Sequence, residues 1–144
     1  MNKTHSILTN IENFKDNHLL VTIYSKHYGK KSLVVFGGKS KKKNSSYSKG
    51  LVSEIEFNQE NSCLNSNVLH SYNWFLFDKY RLKTIDYFCF LIGKLLFLED
   101  KNSKVLELYT NLISKMNSNQ PYITELLHLE LEILRSAGYQ PDLN

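Results

Sequence analysis

The segment from Gly37 to Gly50 contains the residue types in this sequence that are best suited to chemistry, and that chemistry is anion binding. It reads GGKSKKKNSSYSKG, with five lysines, several hydroxyl side chains, one tyrosine and no acid. Lysines contact phosphates as mobile point charges, and hydroxyls and backbone amides add hydrogen bonds. Tyr47 could stack on an unpaired base, a contact worth about 1–3 kcal/mol that tolerates any base. We therefore expect nucleic-acid contacts here; the alternative is a solvated, disordered connecting loop.

Charge is distributed unevenly along the chain. Residues 1–50 contain ten lysines and two acids, a net charge of +8, whereas the remaining residues contain eight bases and twelve acids, a net charge of −4. Such a basic half favours a polyanionic partner, and nucleic acid is the commonest one. The candidate nucleic-acid-binding residues all lie in this half: Lys26, Lys30, Lys31, Lys39, Lys41, Lys42, Lys43, Tyr47 and Lys49.

No set of residues predicts catalysis or metal binding. Glu54 and Glu56 share a strand face, but solvent-facing acids on a strand are common and do not by themselves indicate a catalytic pair. The five histidines are scattered, and Cys63 and Cys89 form no C-x-x-C pair, which indicates reduced, buried thiols. Gly37 and Gly38 lack the spacing of a phosphate-binding glycine loop. We therefore expect a protein that is not an enzyme and binds no metal or cofactor.

The basic half must be positioned by β-strands. Leu51–Phe57 alternates: Leu51, Ser53, Ile55 and Phe57 fall on one side, and Val52, Glu54 and Glu56 on the other. Four other segments also read as strands, namely Ser6–Phe14, His18–Tyr24, Lys31–Phe36 and the weaker Cys63–His70. Five short strands in about seventy residues predict a small barrel, and the OB-fold is the five-stranded barrel that binds oligonucleotides. We assign it to residues 1–72.

The apolar spacing changes to that of helices in residues 73–144, which we assign to a small helical domain. Phe75–Leu98 is apolar nearly all round, as expected for a central helix, and Asn102–Met116 carries a narrow apolar stripe. The aromatic residues of the central helix are expected in the core, or else along an exposed groove for a partner peptide: Phe75, Phe77, Tyr87, Phe88, Phe90 and Phe97. The fold class is therefore α+β, a barrel followed by helices.

A third helix has the clearest boundaries. Pro121 is suited to its first turn and Gly138 to its end, with Pro141 beyond. Its apolar stripe comprises Leu126, Leu127, Leu129, Ile133 and Leu134. The acids Glu125, Glu130 and Glu132 are expected mostly away from that stripe.

Three segments, in this order, resemble the RecO family of recombination mediators. HLLVTIYSKHYGK, residues 18–30, matches the family's apolar hairpin, and LVVFGGKSKKKNSS, residues 33–46, matches a strand followed by a basic loop. LELEILRSAGYQPDL, residues 129–143, matches the helix that ends in a Gly-Tyr-x-Pro-x-Leu signature, which is the most specific of the three. The resemblance covers nearly the whole chain.

The resemblance implies a bacterial, cytoplasmic protein of DNA repair that binds single- and double-stranded DNA, anneals complementary strands and needs no nucleotide cofactor. Its implied partners are a RecR-like protein and the C-terminal tail of single-stranded DNA-binding protein, and with them it helps to load RecA. Many members continue into a zinc module with cysteines, whereas this sequence stops at Asn144, so no zinc is expected. The absence of a signal-like or membrane-spanning segment also indicates a cytoplasmic protein. An RNA-binding OB module and a protein-interaction module remain alternatives.

Overall fold

A computed structural model describes residues 2–72, 78–96 and 102–139. Apart from the short helix α1 between β3 and β4, its elements follow the predicted order of strands and then helices. They are β1 (Asn2–Phe14), β2 (His18–Ser25), β3 (Gly29–Val35), α1 (Lys41–Asn44), β4 (Val52–Phe57), β5 (Cys63–His70), α2 (Lys79–Leu95), α3 (Ser103–Asn117) and α4 (Ile123–Ser136). All five predicted strands are present, and the α+β class is confirmed. No helix in these ranges is long and apolar enough to cross a membrane.

The five strands form one antiparallel sheet in the order β3-β2-β1-β4-β5. β1 is central because its first half pairs with β4 and its second half with β2. It begins four residues before the predicted strand, since the polar start of β1 is held by long-range pairing with β4. Between the outer strands, the described chain has only an isolated parallel bridge from Val34 to Ser62. The sheet is therefore not closed into a barrel, and the predicted OB-fold barrel is not confirmed.

Both faces of the sheet contribute residues to a hydrophobic core. We call the face that turns away from the helices α2 to α4 the inner face. Its alternate residues form one core: Leu8, Leu19, Val21, Ile23, Leu33, Val35, Ile55 and Phe57, with Tyr47 from the β3–β4 connection. On the outer face, Ile7, Tyr24 and Val52 belong to a second core with the helices. The predicted alternation of β4 holds for Ile55 and Phe57. Val52, on the opposite side, is also buried because the helices cover that side.

α2 starts where the Asp78 carboxylate accepts hydrogen bonds from the backbone amides of Tyr80 and Arg81, as at a typical helix N-terminus. Phe88 is fully buried, as predicted. Tyr87 and Phe90 are 42% and 60% exposed, so their assignment to the core was wrong. The apolar residues of α2 lie nearly all round the helix, whereas the sheet and the other helices pack against only part of its surface. Phe75, Phe77 and Phe97 lie outside the described residues.

α3 and α4 pack against each other and complete the second core. Of the predicted stripe of α3, Val105, Leu112 and Met116 are fully buried, and Leu108 is partly buried against the same core. Three features of α4 differ from the prediction, however. The helix begins at Ile123, two residues after Pro121, so the proline is not in its first turn. Leu127, placed in the apolar stripe, is half exposed. Glu132, predicted to lie away from the stripe, is buried.

Glu132 was predicted to lie away from the apolar stripe and is instead buried at the junction of α3 and α4. It accepts hydrogen bonds from the Asn102 side-chain amide at 2.9 Å and the Arg135 Nε at 3.1 Å. The bond from Arg135 is the main reason that the pKa of Glu132 lies below its usual value. The backbone amide of Asn102 in turn donates to the Tyr24 hydroxyl at 3.0 Å. A polar chain thus links the sheet to both helices.

The end of α4 agrees with the prediction. Gly138 has a φ of +95°, a conformation that glycine adopts without a steric penalty. The next amide, that of Tyr139, donates to the carbonyl of Leu134 at 2.8 Å, which satisfies the last turn. Pro141 lies outside the described residues.

Candidate nucleic-acid interface

The lysine-rich connection between β3 and β4 is an anchored structure, not a disordered loop. The Gly37 amide donates to the His18 Nδ1 at 2.9 Å, and the Lys39 amide donates to the Asn17 carbonyl at 3.1 Å. The Lys39 Nζ donates to the Asp16 carbonyl at 2.9 Å. These bonds fix the start of the connection against the β1–β2 turn. One helical turn, α1, follows, and none of its residues is buried.

α1 presents three consecutive lysines to solvent. The Lys43 Nζ donates to the Phe36 carbonyl at 3.0 Å, which holds that side chain near the end of β3. Within the described ranges, no carboxylate lies within 4.0 Å of Lys41, Lys42 or Lys43. Their charges are not neutralised by the described part of the protein, and phosphates can therefore approach them.

Tyr47 is not positioned for the base stacking that we predicted. Its side chain is only 7% exposed and packs in the inner core, with the hydroxyl 3.5 Å from the Cys63 Sγ. Burial and the neighbouring Cys63 raise the pKa of Tyr47. A base could reach the ring only if Tyr47 left the core, so its assignment as a stacking residue was wrong. The polar sequence around Tyr47 does not predict that its side chain is buried against the inner face of the sheet.

An aromatic residue that we did not predict lies beside α1. Phe36 is 55% exposed and packs edge-on against His18, with ring centroids 5.0 Å apart. Strand alternation could have identified it, because Leu33 and Val35 point to the inner core and Phe36 follows in the opposite phase. We use the term α1 surface for Phe36, Lys39, Lys41, Lys42 and Lys43.

The remaining predicted lysines lie outside the α1 surface and make different contacts. The Lys31 Nζ is 5.4 Å from the centre of the Phe57 ring. Lys26 is exposed and lines a cavity of about 480 Å³ beside β5 and α3. Lys30 and Lys49 point to the helices: the Lys30 Nζ donates to the Gly93 carbonyl at 2.6 Å, and the Lys49 Nζ is 2.9 Å from the Asp86 carboxylate. The structure thus separates Lys30 and Lys49 from the α1 surface.

The C-terminal end of the connection is fixed at Gly50. Its amide donates to the Leu8 carbonyl at 2.7 Å, and its carbonyl accepts from the Tyr109 hydroxyl at 2.6 Å. The φ of Gly50 is +96°, and a Cβ there would lie 2.3 Å from the Cγ2 of Ile85. Glycine is therefore required where the connection passes between the sheet and the helices.

The two cysteines are free thiols in the structure. Burial raises the pKa of Cys89 to about 12 and raises that of Cys63 as well. Both thiols are therefore protonated near neutral pH and are poor nucleophiles. Among the residues described, no three His, Cys, Asp or Glu side chains are grouped so that they could hold a metal ion.

The helical half of the chain matches a known family model. The family model described as recombination protein O C terminal matches residues 77–144, which include α2, α3 and α4. No curated protein matches the sequence. The match falls on the part of the chain that carries the Gly-Tyr-x-Pro-x-Leu signature, independently of the basic β-sheet half. Residues 77–144, just under half of the 144 residues, are therefore similar to the C-terminal part of recombination protein O, and this match supports a RecO family protein.

Proposed function

We propose that this protein is a DNA-binding mediator of recombinational repair that binds and anneals single-stranded DNA and assists the loading of RecA. The observation that carries the proposal is the α1 surface, where exposed lysines without carboxylate partners in the described chain lie beside an exposed phenylalanine. The match of residues 77–144 to the RecO C-terminal family model supports a role in recombination and repair. The proposal extends that general role to a specific surface and activity.

The α1 surface has both properties that single-strand binding requires. Its lysines neutralise phosphates, and the release of counterions makes such binding steeply dependent on salt. Phe36 offers a ring on which any base can stack, the role that we first assigned to Tyr47. Because Lys43 and Lys39 are held by backbone carbonyls, part of this surface is ordered before DNA arrives.

The strand order also supports a nucleic-acid-binding fold. An OB-fold is a five-stranded, partly open Greek-key barrel. The sheet order β3-β2-β1-β4-β5, with a parallel bridge from Val34 in β3 to Ser62 just before β5, fits such a barrel in which the two outer strands approach each other. We infer that the sheet is an OB-like barrel with its opening between β3 and β5.

Annealing by this protein requires no bond breaking and no cofactor. Two complementary strands repel each other through their phosphates, and lysines that neutralise both backbones reduce that repulsion. Stacking on an aromatic ring leaves the pairing edge of a base free. A basic surface with one exposed ring can therefore hold a strand in a form that a second strand can pair with.

The proposed partners are a RecR-like protein and the C-terminal tail of single-stranded DNA-binding protein, and the family match supports recombination partners in general. RNA binding and a purely protein-binding role are the competing functions. Competition between DNA and RNA oligonucleotides of the same sequence distinguishes the first. The second predicts that oligonucleotide binding is negligible even at low salt.

The main test is fluorescence anisotropy of a labelled single-stranded oligonucleotide, titrated at several salt concentrations. The variant Lys41→Ala/Lys42→Ala should reduce the slope of log affinity against log salt by about two units, roughly one per lost phosphate contact. The control is Lys79→Ala/Lys83→Ala, which removes the same charge from exposed positions on α2. Equal effects of the two variants would show that only net charge matters and would refute the assignment of the site.

A second measurement connects binding with function. Annealing of two complementary strands labelled with a donor and an acceptor dye should be slower with the α1 variant than with the α2 control. Repeating the assay with strands coated by single-stranded DNA-binding protein tests the proposed partner. If wild-type protein binds DNA but does not accelerate annealing, the mediator proposal fails while DNA binding stands.

A further inference from the structure

A second cavity lies between the sheet and α2. It has a volume of about 380 Å³ and is lined by Thr9, Asn10 and Thr22 from the sheet, by Lys49 from the connection before β4, and by Asp86, Cys89, Phe90, Gly93 and Lys94 from α2. Thr22 is four residues from His18 along β2, or roughly 13 Å at the rise of an extended strand. The cavity is therefore distinct from the α1 surface, which is anchored at His18.

Positive charge exceeds negative charge around this cavity. Lys49 and Lys94 line it, and Lys30 reaches it by donating to the Gly93 carbonyl. Among the described residues that line it, the one acid is Asp86, and it is already paired with Lys49. In the described part of the chain, no carboxylate lies within 4.0 Å of Lys94 or Lys30.

The positive charges of Lys30 and Lys94 act on each other. Partial burial and the nearby charge of Lys94 both lower the pKa of Lys30, which shows that its charged form is destabilised there. A bound phosphate would offset both effects, because an opposite charge close by favours the charged form of a lysine. The charges around the cavity therefore select for an anionic ligand.

An exposed aromatic ring lies in the same cavity. Phe90 is 60% exposed and one helical turn before Lys94, so the two side chains are neighbours on the surface of α2. Thr9 and Thr22 supply polar groups on the opposite wall, where the Thr9 hydroxyl donates to the Thr22 carbonyl at 3.1 Å. An aromatic platform beside unneutralised lysines matches a ligand that has both an apolar ring and a phosphate.

We propose that this cavity is a second contact site for single-stranded DNA, in which a base stacks on Phe90 and an adjacent phosphate binds Lys94 and Lys30. The inference rests on the proposed DNA-binding function and adds a site on the helical half of the chain. With the α1 surface, it gives one molecule two separate places at which DNA can be held. The residues that distinguish it, Phe90 and Lys94, lie on α2 and outside the basic β-sheet half.

The test uses two probes of equal length, oligothymidylate and the same backbone with abasic sites, in the full-length chain. Phe90→Ala should weaken binding of oligothymidylate by about 5-fold or more, the effect of losing one stacked base, and should leave binding of the abasic probe unchanged. Phe90→Leu keeps an apolar side chain without a ring and should show the same selectivity. Lys94→Ala should reduce the salt slope by about one unit for both probes.

Two substitutions on α2 serve as matched controls. Tyr80→Ala removes an aromatic ring that is 80% exposed and does not line the cavity, and Lys83→Ala removes an exposed lysine elsewhere on the helix. Neither should change binding of either probe. Thermal unfolding by circular dichroism identifies any variant that has lost its fold, and Phe90→Leu then provides the result for the ring.

The outcomes separate this inference from the proposed function. If Lys41→Ala/Lys42→Ala weakens binding but the Phe90 and Lys94 variants match wild type, the second site is refuted and the α1 surface stands. If Phe90→Ala weakens binding of both probes equally, the ring does not stack on a base, and the inference is also wrong. If wild-type protein binds neither probe at low salt, the proposed DNA-binding function fails, and the second site fails with it.

Discussion

Substitution of Gly50 by alanine tests the junction between the sheet and the helices. The φ of Gly50 is +96°, where a residue with a Cβ is strained by about 1–2 kcal/mol. The added Cβ would lie 2.3 Å from the Ile85 Cγ2, so one of the two must move. Overpacking of this kind costs about 1–3 kcal/mol. We therefore expect the free energy of unfolding to fall by about 2–5 kcal/mol.

Urea unfolding followed by circular dichroism measures this loss. Gly37→Ala is the matched control, because Gly37 has a φ of +67° but no atom within 4 Å of its added Cβ. It should show only the backbone strain of about 1–2 kcal/mol. A loss at Gly50 no larger than that at Gly37 would refute the steric reasoning.

A double mutant separates the contact from the strain. Ile85→Ala removes the atom that the new Cβ would meet, at the cost of a cavity in the core. If the clash is real, Gly50→Ala/Ile85→Ala should be more stable than the sum of the two single effects predicts. Additivity would mean that the neighbouring helix moves away freely, and the junction would then be less rigid than its hydrogen bonds indicate.

Three further predictions concern stability. Tyr109→Phe leaves the buried Gly50 carbonyl without its hydrogen-bond donor and should lower the free energy of unfolding by about 1–3 kcal/mol in urea titrations. Gly93→Ala adds a Cβ with no atom within 4 Å inside a helix, so it should raise the free energy of unfolding in urea titrations by about 0.5–1 kcal/mol; a lower free energy would show hidden crowding. The hydrogen bond from Arg135 lowers the pKa of Glu132 below its usual 4.5, so its stabilising contribution is present above that value and is lost as the pH falls through the lowered pKa. Glu132→Gln should therefore flatten the acid limb of stability against pH, and an unchanged limb would contradict this.

The local pattern of the sequence determined the elements and the distribution of charge. Alternation located β1 and β4, where side chains of one type recur at every second residue, and the β-branched and apolar run HLLVTIY located β2. Glycine at position 138 marked the end of α4, since its positive φ is a local backbone property. The lysine-rich segment was visible because charge is a property of composition and needs no tertiary contact.

Tertiary structure decided which faces of these elements are covered, and so which candidate residues can meet a ligand. Tyr47 is buried because a polar loop folds over the inner face of the sheet, and Phe90 is exposed because the sheet and helices cover only part of α2. Glu132 is buried, and its carboxylate accepts hydrogen bonds there from Arg135 and from Asn102, which is distant in sequence. Periodicity shows which residues share a face. What packs on that face depends on residues far apart in the chain, and only the folded protein brings these together.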